Sequence, residues 1–306
     1  VCGANLSVPT GKIVYTQLLN SKGGIEADVT VTRLTSSSYM LVTSSSTVVA
    51  DQAWLYRNLG DFQVVLTDVT ASESVLAVMG PNSRKLLQAI SPNDFSNKVN
   101  PFGTCQQIEI GMAIARAHRI SYVGELGWEL YISSEMANHI FEVIVAAGKD
   151  FDLKLCGMHA VDSCRIEKAF RHFGHDITCE DHVLEAGLGF AVDSSKASFL
   201  GRDAVLEKKA QGIRKKLLQF FLKDPQYLLY QNEPIYRDGK LVSYIRSGAY
   251  GYSLNGAVGL GYIPCEGEEP NDLLRSSFEI DVAGCRVPAL ASNRPLHDPK
   301  ANSIKL

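Results

Sequence analysis

Apolar and polar positions alternate with a clean period of two over IEADVTVTRL, residues 25–34, and that period predicts a strand. Residues 13–19 (IVYTQLL) read as a strand and NSKGG at 20–24 as a turn. IEADVTVTRL then sets Ile25, Ala27, Val29 and Val31 against Glu26, Asp28, Thr30 and Thr32. Further strands are expected at SSSYMLVTSS, at FQVVLTDVT (62–70) and at ESVLAVMG, and residues 47–59 read as helical. Pro81 opens an amphipathic helix, NSRKLLQAI. AIARAHRISYVGELGWELYIS reads as two strands around a turn at Gly124. SEMANHIFEVIVAAGKDF reads as a helix with Ser133 or Ser134 as N-cap. MHAVDSCRIEKAFRHFG predicts a helix ending at Gly174. Interleaved strands and helices without a glycine-rich phosphate loop predict an α+β fold.

The pattern changes near KKAQGIRKKLLQF. Beyond it short strands dominate, and Asp238-Gly239 suits a two-residue hairpin turn, with AGCR as a second candidate. The expected organisation is an α+β region over 1–209 and an antiparallel β-barrel over 210–306.

Composition narrows the functional classes. Charged residues make up 21% and the net charge is −3, which does not suggest nucleic acid or an anionic membrane as partner. No apolar run reaches the 18 residues of a membrane span. No signal peptide is evident in VCGANLSVPTGK, and the chain lacks an initiator Met, as a fragment, processed chain or trimmed product would. Seven scattered cysteines without C-x-x-C predict reduced, buried structural thiols and an intracellular protein.

Candidate chemistry sits on three stretches. Glu26 and Asp28 share a strand face, where they are either solvated or held for chemistry. In SYVGELGWELYI, Trp128 and Leu130 face one way and Glu129 and Tyr131 the other. An acid among aromatics there could hydrogen-bond a flat, amide-like heterocycle, or Glu125 and Glu129 are a solvated hairpin. In CRIEKAFRHFGHDI, Arg165, Glu167, Lys168 and Arg171 could pair on a helix surface. His172, His175 and Asp176 lack a further clustered ligand, which argues against a metal site. GLGFAV at 187–192 lacks the third glycine of a dinucleotide loop.

Taken together, VYTQLLNSKGGIEADVTVTRL, SYVGELGWELYI, RIEKAFRHFGHDI and GYIPCE resemble the folate-binding fold of the glycine-cleavage T-protein (aminomethyltransferase). The spelling is nearest the C-terminal folate module of dimethylglycine and sarcosine dehydrogenases. The resemblance implies a cloverleaf of α+β lobes with a C-terminal β-barrel lobe around a tetrahydrofolate site. Asp28 would lie near the reactive folate nitrogens as the catalytic acid–base or electrostatic partner. Glu129 would hold the pterin ring, Tyr122 would wall the pocket, and Arg165 is a retained family arginine. The implied reaction captures an iminium or formaldehyde equivalent as 5,10-methylenetetrahydrofolate, with FAD only in a separate oxidase domain or subunit. Alternatives on the same fold are a regulatory module like that of the pyruvate dehydrogenase phosphatase and a glycine-cleavage aminomethyltransferase. The resemblance also implies the mitochondrial matrix in a eukaryote and the cytoplasm in a bacterium. Val161, where relatives carry arginine, and His297, where they tend to carry tyrosine, depart from the pattern, as does the lack of an early folate-domain segment.

Overall fold

The NSKGG turn joins two strands in register. In the computed structural model, which describes residues 1–268 and 270–306, β1 (Ile13–Leu19) pairs antiparallel with β2 (Ile25–Arg33), and β3 (Tyr39–Val42) adds to β2. Asn20 builds the turn by accepting from the N–H groups of Lys22 and Gly24, both at 3.0 Å. Gly24 is required, because a Cβ there would run into the carbonyl of Cys179. The pleat divides the sheet into two faces. Leu18, Ala27, Val29 and Val31 pack with Trp54 and Leu55 of α1 (Val48–Arg57). Tyr15, Gln17, Asp28, Thr30 and Thr32 lie on the other face.

The strand expected at 62–70 does not form. These residues join α1 to the next sheet with no ladder partner, and Phe62 and Val65 are 79% and 90% exposed. Strand-favouring Val and Thr do not make a strand where no neighbouring strand takes up the backbone groups.

The second sheet runs β4 (Glu73–Met79), β7 (Gly127–Ser133), β6 (Ala113–His118), β5 (Cys105–Ile110), all antiparallel. β5 was not expected, since in CQQIEI only Ile108 and Ile110 carry the apolar period. One face buries Trp128, Leu130 and Ile132 with α2 (Ser83–Ile90) and α3 (Ala137–Gly148). A Cβ at Gly127 would lie 2.6 Å from the carbonyl of Val78, so the β4–β7 contact needs glycine. Neither Ser133 nor Ser134 caps α3 through its side chain. A 3-10 turn, Ser134–Met136, precedes the helix, and Ser134 Oγ donates to Ala71 O at 2.9 Å.

α4 (Met158–Glu167) stops well short of Gly174. Ala169 turns left-handed at φ 52°, and Arg165 donates to the carbonyl of Phe170 at 3.2 Å. The expected surface ion pairs of this stretch are instead interior contacts. Arg165, Glu167 and Lys168 are buried, and Lys168 pairs with Asp298 at 3.0 Å.

After α5 (Arg202–Gln211), six antiparallel strands close into a barrel. They are β8 (Lys215–Leu222), β9 (Pro234–Arg237), β10 (Lys240–Gly251), β11 (Gly256–Pro264), β12 (Phe278–Val282) and β13 (Cys285–Ser292), in the order β10-β11-β8-β13-β12-β9. Both central residues of each expected hairpin turn have positive φ: Asp238 51° and Gly239 77°, Ala283 52° and Gly284 88°. Phe220, Ile235, Ile245 and Ile280 fill the barrel. α4 fastens it to the rest of the chain: Gln219 Nε2 donates to the carbonyl of Ile166 at 2.6 Å, and Ser163 Oγ to that of Tyr250 at 2.6 Å. No helix among the described residues is long and apolar enough to cross a membrane. The seven cysteines are free thiols, but Cys156, Cys179 and Cys285 are exposed rather than buried.

Candidate active site

Asp28 stands on β2 directly opposite Gln17 of β1, whose Nε2 donates to Asp28 Oδ1 at 2.9 Å. Tyr15, two residues up the same strand face, also hydrogen-bonds the carboxylate. Burial pushes the Asp28 carboxyl up to about 6, against the hydrogen bonds from Gln17 and Tyr15 and the positive charge of Arg171. Arg171 is itself pushed down by burial, and it donates to the carbonyls of Ala186 at 3.0 Å and Ala169 at 2.9 Å. Two of its three guanidinium nitrogens thus donate to the backbone, and it acts on Asp28 through its charge.

Tyr122 lies in the same neighbourhood. Its hydroxyl donates to Arg171 O at 2.9 Å and its ring stacks on Phe170 at 6.3 Å. Burial raises the phenol well above its ordinary value, and the charges of Arg165, Asp176, Asp28 and Asp162 all act on it. The fold therefore gathers Asp28, Tyr122 and Arg165 around one region. Arg165 is committed to its own lobe, however, bonding Asp176 Oδ2 at 2.5 Å and Asp162 Oδ1 at 3.1 Å. It also lines a cavity of about 160 Å³ with His172, His175, Arg246 and Ser247. Asp176 is taken up by Arg165 and by the backbone N–H of His172. No group of three or more His, Cys, Asp or Glu among the described residues could hold a metal ion.

Glu129 sits apart, on the polar face of the second sheet. Its Oε2 accepts from the Tyr131 hydroxyl at 2.8 Å, and burial raises its pKa against that hydrogen bond. Glu26 keeps a bland role, accepting from the Asn20 side chain at 3.0 Å. Val161 and His297 are both half-buried, and the charge of His297 acts on Glu125.

Several buried polar atoms have no partner among the described residues. They include Gln17 Oε1 and Thr32 Oγ1 on the first sheet and both ring nitrogens of His118 and Ser121 Oγ in the second lobe. Asp176 Oδ1 and Tyr262 Oη add two more. Native interiors rarely leave such atoms unpaired, and these are spread over both sheets, the loop after α4 and the barrel. Tyr15, Gln17 and Arg171 were not anticipated as site residues. The signal for Gln17 was available: a lone amide inside the strand-like run IVYTQLL, two positions from Tyr15.

A desolvated carboxylate on a rigid hairpin, flanked by a second α+β lobe and a closed barrel, places this chain in the aminomethyltransferase class of fold. The GCVT N-terminal domain model matches residues 1–196 and the glycine cleavage T-protein C-terminal barrel model matches 215–298, so the chain belongs to the glycine-cleavage T-protein family. It is 39% identical over 303 residues to 4-methylaminobutanoate oxidase (formaldehyde-forming) of Paenarthrobacter nicotinovorans, covering 99% of this chain and 36% of that protein. It is 32% identical over 321 residues to human mitochondrial sarcosine dehydrogenase, covering 99% and 35%. It is 34% identical over 307 residues to the mouse mitochondrial pyruvate dehydrogenase phosphatase regulatory subunit, covering 95% and 35%. The chain thus spans about a third of the length of these curated relatives. The solved aminomethyltransferase T of Bartonella henselae shares the fold, with a TM-score of 0.83 at 24% identity over 97% of this chain and 80% of that one.

Proposed function

We propose that the chain is a tetrahydrofolate-dependent one-carbon transfer module that works with an FAD-dependent amine-oxidising domain or subunit. Bound tetrahydrofolate would supply two nucleophilic nitrogens, one in its reduced ring and one just outside it, to take up an iminium or formaldehyde equivalent as 5,10-methylenetetrahydrofolate, with release of the demethylated amine or of water. The observation that carries the reading is Asp28, a desolvated carboxylate whose pKa of about 6 lets it hold or release a proton near neutrality. Gln17 and Tyr15 fix its orientation, leaving the group free to stabilise positive charge that develops beside it. Glu129 accepts the paired donors of an amino-pyrimidinone edge, and Tyr131 orients it. Tyr122 walls the pocket and excludes water. The 4-methylaminobutanoate oxidase and the sarcosine dehydrogenase are named for N-methylated amino acids, which supports a demethylation product as the one-carbon source.

A regulatory role without turnover is the second reading, favoured by the 34% identity to the phosphatase regulatory subunit. The two are separated by a transfer assay. The chain is supplied with tetrahydrofolate and a formaldehyde-releasing amine oxidase, and methylenetetrahydrofolate formation is followed above the uncatalysed rate. The transfer reading expects an enhancement that Asp28→Asn abolishes. No enhancement, with folate still bound, supports the regulatory reading.

A further inference from the structure

Phe190 is 77% exposed, although its chain neighbours Leu188 and Ala191 are buried and Leu188 belongs to the core with Val183 and Ala186. A 3-10 turn, Gly189–Ala191, carries the ring outward between them. Both ends of this loop are fastened. The Leu188 N–H donates to Val183 O at 3.0 Å, and the buried Thr16 of β1 donates through Oγ1 to Ala191 O at 3.1 Å. A large apolar ring thus stands in solvent on backbone that is already ordered, so little freedom is lost when a ligand covers it.

The position of the ring ties it to Asp28. Its centroid lies 6.1 Å from that of Tyr15 at an interplanar angle of 31°, and Tyr15 hydrogen-bonds the Asp28 carboxylate. A single tyrosine therefore separates Phe190 from the acid. The same loop meets Arg171. Gly187 turns left-handed at φ 70°, and a Cβ there would lie 2.8 Å from Arg171 Nη2. Nε and Nη1 of Arg171 serve the carbonyls of Ala186 and Ala169, whereas Nη2 donates to nothing among the described residues. An exposed aromatic face and an unused donor thus meet in one loop next to the Tyr15–Asp28 pair.

We propose that Phe190 is a ligand-binding residue that packs against the aminobenzoyl ring of tetrahydrofolate. The inference rests on reading the Asp28 region as the folate site. One of the two reactive nitrogens of tetrahydrofolate is bonded directly to that benzoyl ring, so a ligand that brings the nitrogen to Asp28 carries a flat aromatic ring beside it. A phenyl face matches the ring by apolar contact and offset stacking, and favours it over a ligand that has the reduced pterin alone. The amide carbonyl beyond the benzoyl ring is an acceptor of the kind that Arg171 Nη2 lacks.

The test is calorimetric titration of the 306-residue chain with tetrahydrofolate and with a methylated tetrahydropterin that lacks the aminobenzoyl-glutamate. Phe190→Ala is expected to weaken tetrahydrofolate about 5- to 10-fold and to leave the tetrahydropterin unchanged. Its ligand-free melting temperature should stay within about 2 °C of wild type, because the ring is exposed. Phe190→Tyr should keep the wild-type affinity. In Phe190→Trp, whose native tryptophans Trp54 and Trp128 are buried, tetrahydrofolate should move the emission to shorter wavelength as the new indole leaves water. Where the tetrahydropterin binds too weakly to titrate, this emission shift decides. Unchanged tetrahydrofolate affinity in Phe190→Ala, or an unmoved emission maximum, overturns the inference and leaves the proposed function standing. Equal weakening of both ligands also overturns it, because the loss then lies at the pterin. A lower ligand-free melting temperature that Phe190→Tyr restores does the same, in favour of a structural role. A wild type that takes up no folate removes the proposed function and this inference together.

Discussion

Gln17 and Asp28 face each other across the β1–β2 hairpin, and the amide of the first donates to the carboxylate of the second at 2.9 Å. One of the pair is fully buried and the other desolvated, in a sheet whose opposite face is a hydrophobic core. The hairpin thus holds a proton-active group at a cost to stability.

That cost has a sign and a pH window. Asp28 titrates near 6 when folded and near 3.8 when unfolded, so between those values the folded chain binds more protons. Its contribution therefore falls as pH rises from about 4 to 6 and is flat above, a loss of roughly 2 kcal/mol once solvent screening is allowed for. Asp28→Asn should flatten this slope and raise the melting temperature at pH 7 by a few degrees, measured by calorimetry across pH 4–8. The same variant should lose one-carbon transfer, a trade of stability for function.

Arg165 and Asp176 form a buried pair at 2.5 Å that pins the loop after α4. Arg165→Met strands the carboxylate of Asp176 and should cost about 3–5 kcal/mol in urea unfolding. The double variant Arg165→Met/Asp176→Asn should regain part of it, because no buried charge is then left alone.

Glu167 accepts from Ser253 N at 2.7 Å, Ser253 Oγ at 2.9 Å and Leu254 N at 3.0 Å, joining the end of α4 to the barrel. Glu167→Ala leaves two backbone N–H groups unpaired and should cost about 2–4 kcal/mol. Limited proteolysis should then cut more readily between 209 and 215, the link into the barrel.

Gly24→Ala drives a Cβ at the Cys179 carbonyl, a rigid neighbour. A destabilisation of roughly 1–3 kcal/mol is expected in thermal unfolding, and because the hairpin carries Asp28, one-carbon transfer should fall with it.

The strands that were legible in the sequence had both an alternating pattern and a partner. β1, β2 and the barrel hairpins follow from period two and from turns such as Asp238-Gly239. Residues 62–70 are rich in Val and Thr but have no partner and form no strand, whereas β5 gains its place from pairing with β6 despite Gln106, Gln107 and Glu109. The end of α4 was hidden because Ala169, not a glycine, takes the left-handed turn. Of the candidate site, the acids stand out as polar residues on half-apolar strands. Tyr15, Arg171 and Phe190 do not, because their roles depend on which lobes and strands meet in space.

The central claim, that the Asp28 region forms a folate site, is tested most directly by the melting temperature of the purified chain with increasing tetrahydrofolate at pH 7. A site with micromolar affinity predicts a rise in wild type that grows with the logarithm of ligand concentration, worth about 2.7 kcal/mol at 100 times the dissociation constant. Asp28→Asn should show a comparable rise from its higher starting point. No shift in either chain at millimolar tetrahydrofolate would contradict the account.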